Sequence, residues 1–451
     1  ASGDILWGDG VRVDPIDDVD FSARFVAGNN GDLNVIWERG TFPDVDIFYM
    51  NIDSDGNLSQ TQPLAISETD GYQFAPILLG TTTNEIFAIY GDKGSGSIDL
   101  KVQKINSSTF LTEWENNGLA AMTGLDGDIN YTNSFRVSDS DLYVLWEDNR
   151  ASKKIFGTRI TNLQTNDDNG KQLTFGDNSS SETDFTTPKM IDTPTGKYIA
   201  TFDGSSAPKI IRLNRLDEEL NNAWSTSGIS LSAVSDMRST FLVETSSGIG
   251  CFWSESRGFN YDIYYQSVDQ DGNLLLNELG VEIVSSMNDD YLLDVVPTND
   301  GKYMIFWMED AWPAATLKFS KMDQDGSLEI GWNPNGYNLS NSNFDSRNLQ
   351  VKASTSGNGL LAVWNQKLGS EQDIYSQFID WEGNVQWADD GLPVVEADND
   401  QNNFTFEFNE TGSHAFVSWQ DFRNGNDFEI FADIININDG ALNGQGSVQF
   451  S

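Results

Sequence analysis

Two short patterns in this chain hold residues able to do chemistry. The first is Asp-x-Asp-Gly, at Asp53-Ser54-Asp55-Gly56, Asp269-Gln270-Asp271-Gly272 and Asp323-Gln324-Asp325-Gly326, with a weaker copy at Asp380-Trp381-Glu382-Gly383. Alternate carboxylates in a tight turn can converge on a hard cation, so Asp53, Asp55, Asp269, Asp271, Asp323 and Asp325 are candidate Ca2+ ligands. The same residues also suit an Asx-type turn closed by a glycine at positive φ. No later acid in the loop completes the roughly six to eight oxygens that calcium takes. The second pattern is Trp-x-Asp/Glu/Ser-x-Arg followed by Asp-Ile or Asp-Phe. Its best copies are Trp253-Ser254-Glu255-Ser256-Arg257 with Asp262-Ile263, and Trp419-Gln420-Asp421-Phe422-Arg423 with Asp427. A guanidinium offers a planar fork for carboxylates and carbonyls. Arg257 and Arg423 therefore staple the hairpin or, with Glu255 and Asp421, form ligand contacts on one face.

Other chemistries are excluded by counting. The single cysteine, Cys251, permits no intramolecular disulfide, and its apolar surroundings suit a small core residue. With His414 as the only histidine, a multi-histidine zinc site is impossible, and so is a Ser-His-Asp array centred elsewhere. The formal net charge is −43, which disfavours nucleic acid and anionic membrane as partners. It favours divalent cations, basic partners or neutral ligands. No apolar run is long enough to span a membrane. The chain begins at Ala1 without a basic, apolar leader and reads as mature or trimmed.

These patterns recur because the whole chain repeats. Trp37, Tyr90, Trp146, Phe202, Trp253, Trp307, Trp364 and Trp419 follow one another at intervals of 51 to 57 residues. Each closes the second of four strand-like segments, marked by alternation, β-branched and aromatic residues between Gly/Asn/Asp/Ser clusters. A period of this length with strand content indicates a β-propeller. The expectation is all-β: a single eight-bladed propeller of four-stranded antiparallel blades spanning residues 1–451 as one domain. A second series, Trp7, Trp114, Trp224, Trp332 and Trp387, stands three or four residues before a glycine that opens each fourth strand. Indoles so regularly placed belong to packing. Trp312 and Trp381 fall outside both series and are candidate binding residues. The ring is expected to close through an N-terminal strand, Gly10 to Val13, completing the eighth blade. A rival segment, Gly446 to Phe450, has the same pattern.

The full repeat reads Trp-x-Asp-x-Arg-x-Gly-x-x-Asp-Ile-Tyr-x-Gln-x-x-Asp-x-x-Gly-x-x-x-Trp-x-x-x-Gly. Its closest copies run over 253–280, 364–391 and 419–440. It resembles a repeat of large secreted and cell-surface proteins of Bacteroidetes-type bacteria, many of them cargo of the type IX secretion system. The resemblance implies an extracellular or cell-surface bacterial protein, with secretion machinery among its contacts. It also implies the company of adhesins, gliding-associated proteins and extracellular enzymes. The sorting domain such cargo carries is not evident.

The reading that follows is a non-enzymatic binding or adhesion module for a protein partner or surface glycan, contacted through the loops at one end of the channel. Two others stay open. One is a carbohydrate-active hydrolase or lyase using two carboxylates about 5–10 Å apart at one funnel, although 69 acids with no distinguishing motif name no pair. The other is a structural spacer stiffened by Ca2+.

Overall fold

Alternating apolar and polar segments bounded by turn residues fold into strands along the chain, and among the described residues no helix forms. The computed structural model describes residues 20–441 and 448–450, except 29–31, 54–56, 82, 84, 95, 115–116, 126–128, 139–140, 149–153, 162–163, 166–169, 174–188, 204–209, 225–227, 233–235, 341–342, 410, 424 and 426–428. The strands make eight small antiparallel sheets, each built from segments consecutive in the chain. Blade 5 is representative, with strands Met237–Glu244, Gly248–Glu255, Asp262–Asp269 and Val281–Val284 in that order. Blades 2 and 3 split their outer edge into two short pieces. The architecture is an eight-bladed β-propeller.

Closure differs from expectation. The fourth strand of blade 8 is Val448–Phe450, with Ile430, Phe431 and Ala432 opposite Phe450, Gln449 and Val448. It is not the N-terminal segment Gly10 to Val13, which lies outside the described residues, as does Trp7. The reason is local: Val448–Phe450 is the next strand after the third, Glu429–Asn436, and takes its free edge. Each described sheet is thus completed by its own stretch of chain.

Two indole contacts set the packing. All eight repeat aromatics lie on second strands and are buried, from Trp37 and Tyr90 through Trp419. Within a blade the indole lies against the glycine that opens the fourth strand. A methyl group at Gly336 would come within 2.1 Å of the Trp307 ring, and one at Gly391 within 2.5 Å of Trp364. Gly280 and Gly170 stand in the same relation to Trp253 and Trp146. Between blades, the second series lies against the turn glycine of the following blade. A methyl at Gly383 would sit 2.3 Å from Trp332, and one at Gly440 2.7 Å from Trp387. In blade 5 Leu276 holds the place of that indole, facing Gly326.

Polar contacts join the blades as well. The residue after the core tryptophan reaches the next blade's first strand: the Ala75 amide donates to Glu38 at 3.0 Å and the Leu292 amide to Ser254 at 2.8 Å. Asn365 donates to the Gln401 carbonyl at 2.8 Å. Trp253→Ala empties the largest kind of core position and should cost about 3–5 kcal/mol. Urea denaturation of the variant checks this; a loss below about 1 kcal/mol would mean the site collapses or was never tightly packed.

Candidate functional site

In each blade the loop between second and third strands and the connection to the next blade emerge at the same end, because the four strands are antiparallel. This face carries Glu255, Arg257, Trp312, Asp421 and Arg423, whereas the Asp-x-Asp-Gly turns and Trp381 follow third strands and lie at the opposite end. Arg257 pairs with the fully buried Glu255, donates to the Leu279 carbonyl at 2.6 Å and lies 3.7 Å over the Tyr264 ring. Arg423 grips the fully buried Asp421 with both arms, at 2.9 and 2.5 Å, and Trp419 donates to the same carboxylate. Those bonds hold the Asp421 carboxyl below its usual range against the opposing effect of burial. The stapling role is the one the geometry displays. Trp381 is half-buried against the core, its indole nitrogen donating to the Gly357 carbonyl at 2.8 Å. His414 bonds the neighbouring Ser413 hydroxyl, and Cys251 is buried, which pushes its thiol up.

The remaining motif residues are equally occupied. Gln266 and Gln377 each donate to a carbonyl of the following third-to-fourth connection, those of Asn277 and Ala388, and accept amides in return. Asp373 accepts the Ala397 amide beyond the fourth strand; its carboxyl is pushed up to about 6, chiefly by burial. Three of the four turns, those of Asp53, Asp269 and Asp380, are clamped by an asparagine four residues after the first acid. Asp269 accepts the amides of Asp271 and Asn273 at 3.0 and 2.8 Å, and the Asn273 side chain at 2.9 Å. Asp53 and Asn57 repeat the arrangement, as do Asp380 and Asn384. Asp323 lies 3.4 Å from Lys302, and Asp325 accepts from Ser327. Asp271 is exposed at its turn, and Asp55 lies outside the described residues. Among the described residues no three of His, Cys, Asp and Glu gather to hold a metal ion. Asp53, Asp269 and Asp380 are thus each bonded within their own turn.

Trp312 is different. It is 95% exposed at the tip of the blade 6 hairpin, joined on this face by Phe259 at 104% and Met287 at 92%. The three loops are tied together: Asn260 reaches the Ser286 carbonyl at 3.5 Å, and Asn288 donates to Glu309 at 2.8 Å. Inward lies a polar aromatic cluster. The Tyr261 and Tyr291 rings stand 5.1 Å apart, and the Arg238 guanidinium sits 4.8 and 5.0 Å from them. Asp236 accepts the Tyr261 hydroxyl, and Asp289 accepts that of Tyr291 at 3.1 Å. Half a turn round the ring, between blades 1 and 2, a second cluster runs from Phe42, 76% exposed, through Tyr72 to Phe74.

Sequence reasoning missed the acids that position these loops. Asp289 accepts the Tyr261 amide at 2.9 Å, Asp345 that of Ala315 at 3.1 Å and Asp400 that of Gln372 at 3.0 Å. An aspartate recurring at the repeat period ahead of the first strand was the available signal. It also missed Asp290, which faces Glu309 across the first two strands of blade 6. The equivalent pairs in blades 2 and 8 are Gln73 with Asp92 and Gln401 with Asp421. Asp290 is 1% exposed, and burial pushes its carboxyl to about 7; Glu309 and Asp262 add to this while Ser286 and Lys318 oppose it. Glu309 is buried in part, yet its bonds to Lys318 and Asn288 hold it below its usual range.

No protein-family profile matches this chain, and no curated protein is similar to it. Among solved structures it is similar in fold to a eukaryotic initiation factor, with a TM-score of 0.49 and 11% identity over 98% of this chain and 90% of that one. It is also similar to the β-propeller domain of the Trilobed protease from Pyrococcus furiosus, which has an open velcro topology (TM-score 0.41, 8% identity, 84% of this chain and 99% of that one). A puromycin-hydrolysing peptidase of Mycobacterium tuberculosis gives a TM-score of 0.46 and 10% identity over 93% of this chain and 60% of that one. At these identities the likeness concerns the propeller fold alone.

Two outcomes follow from the buried and clamped acids. Asp290 titrates near 7 and Asp46, Asp294 and Asp373 near 6, all above the unfolded value of about 4. A group raised in the folded state contributes stability that is complete below its unfolded pKa and lost as pH rises through its folded one. Melting temperature should therefore rise as pH falls from about 8 to 5. It should fall again below about 4, where carboxyls held low, such as those of Asp421 and Glu309, take up protons. A melting curve flat between pH 8 and 5 would contradict the buried-acid account. Chelation by EDTA should leave the melting temperature unchanged, and a drop of several degrees would restore calcium to the turns.

Proposed function

We propose that this chain is a non-enzymatic binding module, engaging a protein partner or surface glycan through the blade 5–6 rim. The observation that carries the reading is Trp312: an indole 95% exposed, outside both packing series, beside exposed Phe259 and Met287. Large apolar groups gathered on one face of an otherwise acidic molecule mark a contact surface. Aromatic anchors of this kind dominate binding energy where they are desolvated. The repeated motif residues are consumed in holding blades together, which leaves recognition to residues that break the repeat. The motif resemblance supports placing this surface outside a bacterial cell, with export by a type IX-like route.

A second reading is favoured by one observation, the facing carboxyls of Asp290 and Glu309. Burial raises Asp290 to about 7 while the bonds to Lys318 and Asn288 keep Glu309 below its usual range, a separation of the kind glycoside hydrolysis uses. Asp290 is buried, so a substrate would need a route past the Trp312 loop.

Binding to a panel of polysaccharides and surface proteins, measured with the intact protein and with Trp312→Ala, separates the readings. The binding module predicts retention on at least one surface and a loss of about tenfold or more in the variant. Release of sugar that stops in Glu309→Gln would establish the hydrolase instead.

A further inference from the structure

We infer that the notch between blades 1 and 2 receives a cationic side chain, arginine above all, from a basic segment of a protein partner. The inference rests on the binding-module reading and supplies the chemistry of one contact in it. Phe42, at the tip of the blade 1 hairpin, meets Tyr72 edge to face with ring centres 6.0 Å apart. Tyr72 in turn stacks on Phe74 at 5.2 Å and 15°. Acids surround these rings. Asp44 accepts the Gly71 amide at 3.2 Å, beside Asp70 and Tyr72. Asp46, pushed up to about 6 by burial first and by Asp44 and Glu68 next, against a Thr69 amide and the Arg39 charge, has one carboxylate oxygen buried and without a hydrogen bond. The face of an aromatic ring carries partial negative charge, so rings and carboxylates select the same ligand, a cation. The net charge of −43 brings cations to this surface.

The cluster on the opposite side of the ring shows the occupant. There Arg238 lies over Tyr261 and Tyr291, with Asp236 and Asp289 bonded to their hydroxyls. Tyr291 and Phe74 hold equivalent places, each following the residue paired with the second-strand exit. Arg238 is opposite Ser254, the residue after the core tryptophan of blade 5. Its register counterpart in blade 1, opposite Glu38, is Phe21. Blade 1 thus offers no cation from the position that fills the blade 5–6 cluster. Two cations of blade 1 act on the acids here without covering the rings. Arg39 lies 3.8 Å over Phe48 and 3.5 Å from Asp20 and favours the charge of Asp46; Arg24, exposed and donating to the Ala23 carbonyl, favours that of Glu38, which accepts the Tyr72 hydroxyl. Lys93 is exposed and touches Tyr72 through its backbone amide. Among the described residues no cation lies over Phe42 or Tyr72. A guanidinium from outside would complete there what Arg238 completes from within.

Calorimetric titration with a short blocked peptide bearing arginine, and with its citrulline counterpart of like shape and no charge, tests this at matched ionic strength. Phe42→Ala leaves net charge unchanged, and Phe42 is exposed, so the fold is kept. It should weaken arginine-peptide binding about fivefold or more. The citrulline peptide should bind at least about tenfold more weakly than the arginine peptide. Arg238→Ala should open the second cluster and raise the stoichiometry from one to two. Equal affinity of Phe42→Ala and the unaltered protein would overturn the inference, since binding would then be diffuse charge attraction. Trp312→Ala should leave the peptide titration unchanged. Failure of the unaltered protein to bind the arginine peptide, with glycan or partner binding retained, would sink this inference alone and leave the blade 5–6 rim standing.

Discussion

An indole lying on a glycine is the contact on which this molecule depends. The ring of Trp307 occupies the space that any side chain at Gly336 would need, and Trp364 does the same at Gly391. Burying one large flat group per blade gives each four-stranded sheet a core it could not otherwise have, because a sheet this small has little apolar area of its own. The second contact, Trp332 on Gly383 and Trp387 on Gly440, passes the packing to the next blade. Interiors are close-packed, so such contacts fix the spacing of neighbouring sheets and leave little tolerance in the ring. Glycine is required at both places for the same reason: the approach is closer than a Cβ allows.

The polar half of the repeat serves the same end. Arg257 lies over Tyr264 and bonds Glu255, Gln266 holds the third-to-fourth connection, and Asp269 with Asn273 closes the turn. Ser254 and Asp289 reach between blades 5 and 6 in opposite directions. Buried polar groups are costly unless bonded, and here the bonds are made within the repeat. A residue so used is poorly placed to meet a ligand. The repeat lapses at Trp312 and Met287 on the rim, at Arg238 between Tyr261 and Tyr291, and at Asp290, where blades 2 and 8 have glutamine.

Acidity runs through the structure at two depths. The outer acids give the surface the sign of the net charge of −43. The inner ones, Asp46, Asp290, Asp294 and Asp373, are raised chiefly by burial, with neighbouring carboxylates adding to it for Asp46, Asp290 and Asp373. Each exchanges a buried charge for a proton as the medium becomes acidic. Burial, more than charge crowding, therefore tunes the interior toward mildly acidic conditions.

The sequence by itself determined the count of blades, the strands within them and which aromatics are buried, because periodic packing needs periodic residues. It also offered the stapling reading of Arg257 and Arg423, since an arginine two residues beyond an acid in a hairpin has a carboxylate within reach. What only tertiary structure decided lies in contacts between segments far apart in the chain. Val448–Phe450 and Gly10 to Val13 carry the same pattern, and only the strand pairing shows that the former completes blade 8. Trp312 and Trp381 look alike in sequence as indoles outside the series. One is exposed and the other is bonded to Gly357 of the preceding hairpin, a difference set by neighbours that no local pattern encodes. The facing of Asp290 with Glu309, and of Tyr261 with Tyr291 around Arg238, likewise required the strands to be paired and the blades set side by side, because proximity across a ring is not written in spacing along a chain.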